Sequence, residues 1–210
     1  MDDLVLRTAD RRPPESVLVV AARPADIEVH AAGTVMRWVD RGTRATYCVV
    51  TDGEADGREE VRRAEQVLAA KLAGVTDVRF LGRPADAPAE PAARTRDELE
   101  RLIHQVRPRR VIVPADLAPV TSRLLAEDRE GPVRELWVMS APEPNQYVDV
   151  TAVLDRKLEA LRAHASRAAA LPDPEEPLRA RLAAHARVGG LPPGRVAEAF
   201  EVVRAVRHTP

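Results

Sequence analysis

The run Val17-Leu-Val-Val-Ala21 is followed at once by Ala-Arg-Pro-Ala-Asp26 and then by a helical period through Trp38 and Val39. A run that is apolar at every position has no face suited to water. As a strand it must be buried on both sides, which is the condition of a central strand in a parallel sheet. Pro24 breaks the run, Asp26 stands where an N-cap would, and Gly42 ends the helix. A strand that feeds a turn at a helix start is where open α/β sheets place their chemistry, beyond the carboxyl ends of the strands. The alternation recurs. Strands are expected at Ala45–Thr51, Asp77–Phe80, Arg110–Pro114 and Arg134–Met139, and helices at about 27–41, 58–72, 95–106 and 178–187. On the 58–72 helix, Val61, Ala64, Leu68 and Leu72 are expected to face inward. The pattern predicts one α/β domain over residues 1–210, with a mostly parallel, Rossmann-like sheet and helices on both faces. Residues 1–14 read as a polar leader.

The formal net charge is -1, so no global field draws the chain to nucleic acid or to a membrane, and neither is expected as a partner. No apolar run approaches membrane-spanning length. The one cysteine, Cys48, lies in an apolar strand-like run and reads as a buried small hydrophobe. A lone cysteine makes no internal disulfide, which points to the cytoplasm. Among the basic residues only Lys71 and Lys157 are lysines, and with abundant Ala and Pro this points to GC-rich, bacterial coding.

The first turn resembles the signature of the LmbE/PIG-L family of zinc-dependent de-N-acetylases. Their first strand ends in Ala-His-Pro-Asp-Asp-x-Glu, followed by a Gly-rich helix start with Gly-Thr. The frame here is Ala22-Arg23-Pro24-Ala25-Asp26-Ile27-Glu28, then Gly33-Thr34. Four further stretches fall in the family's order: Thr51-Asp52-Gly53, Leu81-Gly82, Tyr147-Val-Asp-Val-Thr151 opening a helix with Lys157 and Ala163-His-Ala-Ser166, and Ala197-Glu-Ala-Phe200. The resemblance implies that the first turn holds a catalytic zinc. It also shows two departures. Arg23 stands at the first zinc-ligand His and Ala25 at the general-base Asp, leaving Asp26 at the metal-binding Asp. The segment Asp116–Glu130, where the family has His-Pro-Asp-His, contains no His and looks shortened.

Zinc amide hydrolysis needs three protein ligands with an open position for water, a base, and a group to hold the oxyanion. A guanidinium stays protonated and cannot ligate zinc, and Ala25 cannot take a proton. The expected cofactor is therefore none, with zinc absent and no metal ligands assigned. The candidate cleft residues are Asp26, Glu28 and His30, and the candidate ligand-binding residues are Arg23, Asp26, His30, Asp52 and Arg62. Asp26 and His30 are four apart, one helical turn, so they either chelate a metal or His30 merely fills the space of a family glycine. Arg62 and Glu65 match an Arg-x-x-Glu frame near the family's substrate, or form a solvated helix face. Glu28 reads as a brace for the turn, Asp52 as a turn cap, and His104, His164, His185 and His208 as surface, packing or tail residues. Arg23 either sends its guanidinium into the vacated metal position to bond Asp26, or points to solvent.

The resulting expectation is a degenerate family member without hydrolytic activity. It would act as a ligand-binding or partner subunit, a homo-oligomer or a heteromer with a paralogue, and take a small anionic or sugar-like ligand. The alternatives are a repurposed metal-independent enzyme using the same cleft, and a hydrolase with a rebuilt metal site.

Overall fold

The computed structural model describes residues 12–53, 56–83, 92–128, 131–168 and 175–204. Most of the expected leader and His208 lie outside these. Seven strands form one sheet in the order β3-β2-β1-β4-β5-β7-β6. They are β1 (Ser16–Ala21), β2 (Arg44–Thr51), β3 (Asp77–Arg83), β4 (Arg110–Pro114), β5 (Glu135–Met139), β6 (Gln146–Asp149) and β7 (Ala197–Arg204). The first five are parallel to one another, and β7 runs antiparallel to both β5 and β6. The order reverses between β1 and β4, so the crevice at their carboxyl ends is bordered by Ala22–Asp26 and by the segment from Ala115 onward.

Strand β1 explains the apolar run. Val17, Val19 and Ala21 enter one core with helices α1 (Asp26–His30), α2 (Ala32–Val39), α3 (Glu59–Leu72) and α6 (Leu154–Arg162). Leu18 and Val20 enter the other, with α4 (Ala92–Val106) and α5 (Ala118–Glu127). Both faces are dry, as a continuous apolar strand requires. Cys48 is buried in the second core, and burial pushes its thiol up to about 12. Short α7 (Ala165–Ala168) follows α6, and α8 (Glu175–Val188) packs over the antiparallel edge. At the amino ends of β4 and β5, Arg110 lies between the rings of Trp38 and Trp137, 4.6 and 4.4 Å from their centroids, and bonds Glu135 at 2.7 Å. Among the described residues no helix is long and apolar enough to cross a membrane.

Three expectations are corrected. The helix 27–41 is two helices, broken at Ala31, whose φ of -138° leaves the helical region. On α3 the inward residues are Gln66, Ala69 and Ala70, with Leu72 packed against the same core as expected, while Val61 and Leu68 are 49% and 51% exposed and Ala64 is exposed too. Close approach to the sheet selects small side chains there over large ones. The stretch Tyr147–Val150 belongs to β6 and its end, and the helix that carries Lys157 starts only at Leu154.

A buried polar brace ties β7 to the break between α1 and α2. Lys157, fully buried, donates to the carbonyls of Glu28 (2.6 Å) and Val29 (3.3 Å) and to Glu198 Oε1 (2.6 Å). Glu198 in turn accepts the N–H groups of Gly33 (2.9 Å) and Thr34 (2.7 Å) at the start of α2. A Cβ at position 33 would lie 2.9 Å from Val150 and 3.0 Å from Glu198 Oε1, so this approach requires glycine.

Removing one partner of a buried pair strands the other charge. Lys157→Met is expected to lower unfolding stability by about 3–5 kcal/mol in urea titrations. Lys157→Met with Glu198→Gln should lose less than the sum of the singles, because Gln leaves no orphaned charge; strict additivity would refute this account of the brace. On α8, burial and the nearby Arg181 charge hold the His185 imidazole below its ordinary value. The unfolded chain then takes up a proton below about pH 6.5 that the folded chain declines, so this contribution to stability is lost as pH falls. The drop in urea midpoint between pH 7.5 and 5.5 is expected to be smaller in His185→Gln than in the native chain.

Candidate functional site at the β1 turn

The turn starts at Ala22, whose carbonyl accepts both the Thr51 N–H (3.0 Å) and the Thr51 hydroxyl (2.9 Å), locking the ends of β1 and β2 together. Ala25 is fully buried and left-handed, with φ 71° and ψ -10°. Its N–H donates to Gln66 Oε1 at 3.1 Å, Gln66 Nε2 donates to Glu28 Oε1 at 3.0 Å, and Glu28 Oε2 lies 3.1 Å from His164 Nε2. Glu28, Gln66 and His164 are all buried. Glu28 therefore braces the turn from below, and His164 is the support for that brace.

Asp26 is the first residue of α1 rather than its N-cap, a role that Ala25 fills without a side-chain bond. Its Oδ2 accepts the Arg23 backbone N–H at 2.9 Å. The Arg23 guanidinium stays 3.8 Å from the same oxygen, with the Arg23 side chain 65% exposed and that of Asp26 14% exposed. The guanidinium-to-Asp26 hydrogen bond, one of the two readings of Arg23, is thus replaced by a backbone bond and a loose outer ion pair. A tight turn brings the backbone N–H to the carboxylate at no side-chain entropy cost, whereas a hydrated guanidinium would lose water and rotamer freedom to enter.

Asp52 and Arg62 belong to the next loop, at the carboxyl end of β2. The Asp52 carboxylate accepts Arg63 Nε (2.9 Å) and Nη2 (2.7 Å), a two-point clamp. Arg62 donates to the Asp52 carbonyl and to Asp56 Oδ1, each at 2.8 Å, and its bond holds the Asp56 carboxyl down to about 2. Glu65 accepts the Ser166 N–H (2.7 Å) and hydroxyl (2.6 Å), so the Arg-x-x-Glu frame ties α3 to this loop and to α7. His30, at the end of α1, meets Ser140 after β5: its two ring nitrogens lie 3.0 and 3.1 Å from the Ser140 hydroxyl.

Sequence reasoning missed Gln66, Glu198, Ser140 and Arg181 as polar groups that shape this region. Gln66 carried a signal, a lone amide on the face of Ala69, Ala70 and Ala73 at helical spacing. Lys157 carried another, as one of two lysines in a chain that otherwise uses Arg. Its compact ammonium fits among three acceptors where a planar guanidinium would not.

The residues present do not fit a catalytic zinc. Arg23 is cationic, Ala25 has no donor, and Asp26 Oδ2 is engaged by the backbone of its own turn. The segment after β4, a short 3-10 turn at Ala115–Leu117 followed by α5, holds no His. Among the described residues no group of three or more His, Cys, Asp or Glu side chains is placed to hold a metal ion.

The left-handed Ala25 yields a comparative test. A non-glycine residue there is strained by about 1 kcal/mol, which glycine relieves. Ala25→Gly is therefore expected to stay within about 0.5 kcal/mol of native stability although a buried methyl is lost. Ala69→Gly, equally buried but in the right-handed helix α3, should cost about 1 kcal/mol or more. Equal losses in denaturant titrations would refute the strain.

The fold matches known proteins. Residues 18–121 match the family model described as PIG-L: GlcNAc-PI de-N-acetylase. The diacetylchitobiose deacetylase of Thermococcus kodakarensis is 24% identical, the match covering 72% of this chain and 70% of that protein. Among solved structures, the N,N'-diacetylchitobiose deacetylase of Pyrococcus horikoshii superposes with a TM-score of 0.80 at 22% identity, over 96% of this chain and 89% of that one. GalB, the 4-carboxy-2-hydroxymuconate hydratase of Pseudomonas putida, superposes with a TM-score of 0.66 at 20% identity, over 93% and 98%. With its Rossmann-like sheet, its turn frame and this family match, the chain carries a domain of the PIG-L/LmbE family.

Proposed function

We propose that this chain is a non-hydrolysing member of its deacetylase family, acting as a ligand-binding or partner subunit without zinc. The observation that carries the reading is the β1 turn. The brace beneath it is complete through Gln66, Glu28 and His164, yet Arg23 and Ala25 stand at the ligand and base positions and Asp26 Oδ2 accepts a backbone N–H. Amide hydrolysis needs an activated water and a proton acceptor at one point; Ala25 supplies no acceptor, and Asp26 Oδ2 is engaged by the backbone of its own turn. A deacetylase name among the relatives speaks for the scaffold's history, and the side chains at the turn speak for this chain.

A second reading is a repurposed enzyme that turns over a substrate in the same cleft without metal. It is favoured by GalB, whose name is that of a hydratase on the same fold, so the architecture is not tied to amide hydrolysis.

Purified protein incubated with N-acetylglucosamine conjugates is expected to release no acetate above the no-enzyme control at any zinc concentration. Arg23→His with Ala25→Asp should not restore release, because the His after β4 is still absent and groups that act as a unit are not additive. Zinc-dependent acetate release by the native chain would overturn the proposal. Turnover of another substrate in protein shown by elemental analysis to be metal-free would favour the second reading.

A further inference from the structure

Helix α1 has the turn at one end and a separate cleft at the other. The cleft, of about 280 Å3, lies between the end of α1, the turn after β5, α8 and β7. It is smaller than the roughly 300–1,000 Å3 of pockets for drug-sized ligands, which suits a short molecule. Val29, Leu182 and Ala199 make its apolar side. Arg181 is the only Lys or Arg among its lining residues, and it is half-buried. Its Nη2 donates to the Val29 carbonyl at 2.9 Å, a cation at the exposed carbonyl end of a helix. That bond uses one of five guanidinium donors.

Among the described residues no carboxylate is paired with Arg181. Glu198 lies in the cleft wall, but its oxygens are held by Lys157, Gly33 and Thr34. Burial pulls the Arg181 guanidinium below its ordinary value, and the charge of Glu198 offsets part of that. His185, in the same wall, is held below its ordinary value by burial and by Arg181 and adds no second positive charge at neutral pH. One permanent cation balances one negative charge, and a phosphate dianion would leave a charge uncompensated beside Glu198.

Ser140 is left-handed, with φ 59°, a conformation that non-glycine residues adopt chiefly where the surroundings impose it. Its hydroxyl is nearly equidistant from both His30 nitrogens and so lies in line with neither lone pair. The pair is not aligned as a nucleophile and its base; it presents hydrogen-bonding groups at the cleft.

We propose that this cleft binds a small organic monocarboxylate, with Arg181 as counter-ion, Ser140 and His30 as polar contacts, and Val29, Leu182 and Ala199 around the hydrocarbon. None of Arg23, Ala25 and Asp26 lines it, so the inference stands whether or not the β1 turn has lost its chemistry.

The test is amide NMR on the isotopically labelled full chain, titrated with butyrate, butyramide and inorganic phosphate. Butyrate should shift the amides of Ser140, Ala141 and Leu182 saturably, and the other two probes should bind at least about tenfold more weakly. Arg181→Met should weaken butyrate binding about tenfold or more. Ser140→Gly, which suits the left-handed backbone and preserves the fold, should weaken it about threefold. If Arg181→Met does not fold, Ser140→Gly decides. Equal binding of butyrate and butyramide, shifts confined to other parts of the chain, or unchanged affinity in the folded variants would overturn the proposal.

Discussion

The Lys157–Glu198 contact, 2.6 Å long and fully out of water, is the interaction on which the geometry around the first turn depends. A buried ammonium is tolerable only when each donor finds an acceptor, and Lys157 finds the carbonyls of Glu28 and Val29 as well as the carboxylate. Those carbonyls belong to the end of α1, and the N–H groups on Glu198 belong to the start of α2. Unpaired groups at two helix termini are thus satisfied by one ion pair, from residues far apart in sequence. The break at Ala31 leaves α1 free to take its own direction, and the pair sets that direction against the sheet.

From there the support passes up α1. Glu28, buried under the turn, holds Gln66, and Gln66 holds the N–H of Ala25 in its left-handed conformation. Asp and Asn tolerate this conformation better than other side chains with a Cβ. Ala25 keeps the backbone shape with no side chain that gains from it. The strain at this turn is therefore sustained by the brace beneath.

The strands were legible because the middle of a parallel strand buried on both faces is apolar, as Val17–Ala21 of β1, Tyr47–Val50 of β2 and Val111–Val113 of β4 are. The break between α1 and α2 was not, because Ala31 and Ala32 favour helix, and the partners at the break are tertiary: Glu198 accepts the N–H groups that open α2, and Lys157 donates to the carbonyls that close α1. The inward face of α3 was misread for a packing reason: Ala69 and Ala70 allow close approach, and the larger Val61 and Leu68 are left outside. The opening turn was visible as a frame. Whether Arg23 enters it or leaves was decided by a backbone hydrogen bond that no residue pattern announces. The cleft was invisible because His30, Ser140 and Arg181 come from three elements that only the sheet order brings together.

Helix α1 joins the two regions. Its five residues span only about 7.5 Å at 1.5 Å per residue. Asp26 opens it in the turn, and His30 closes it at the cleft. Two cations meet its last carbonyls: Lys157, wholly spent on acceptors, and Arg181, with donors left over. The Val29 carbonyl is common to both, so an anion that draws Arg181 toward it would loosen one of the bonds that hold the end of α1, and Lys157 would carry more of that carbonyl. A helix this short has no interior to absorb such a shift, because each residue lies within one turn of an end. Helix α1 is thus the one element that carries a residue of the turn at its start and a residue of the cleft at its end.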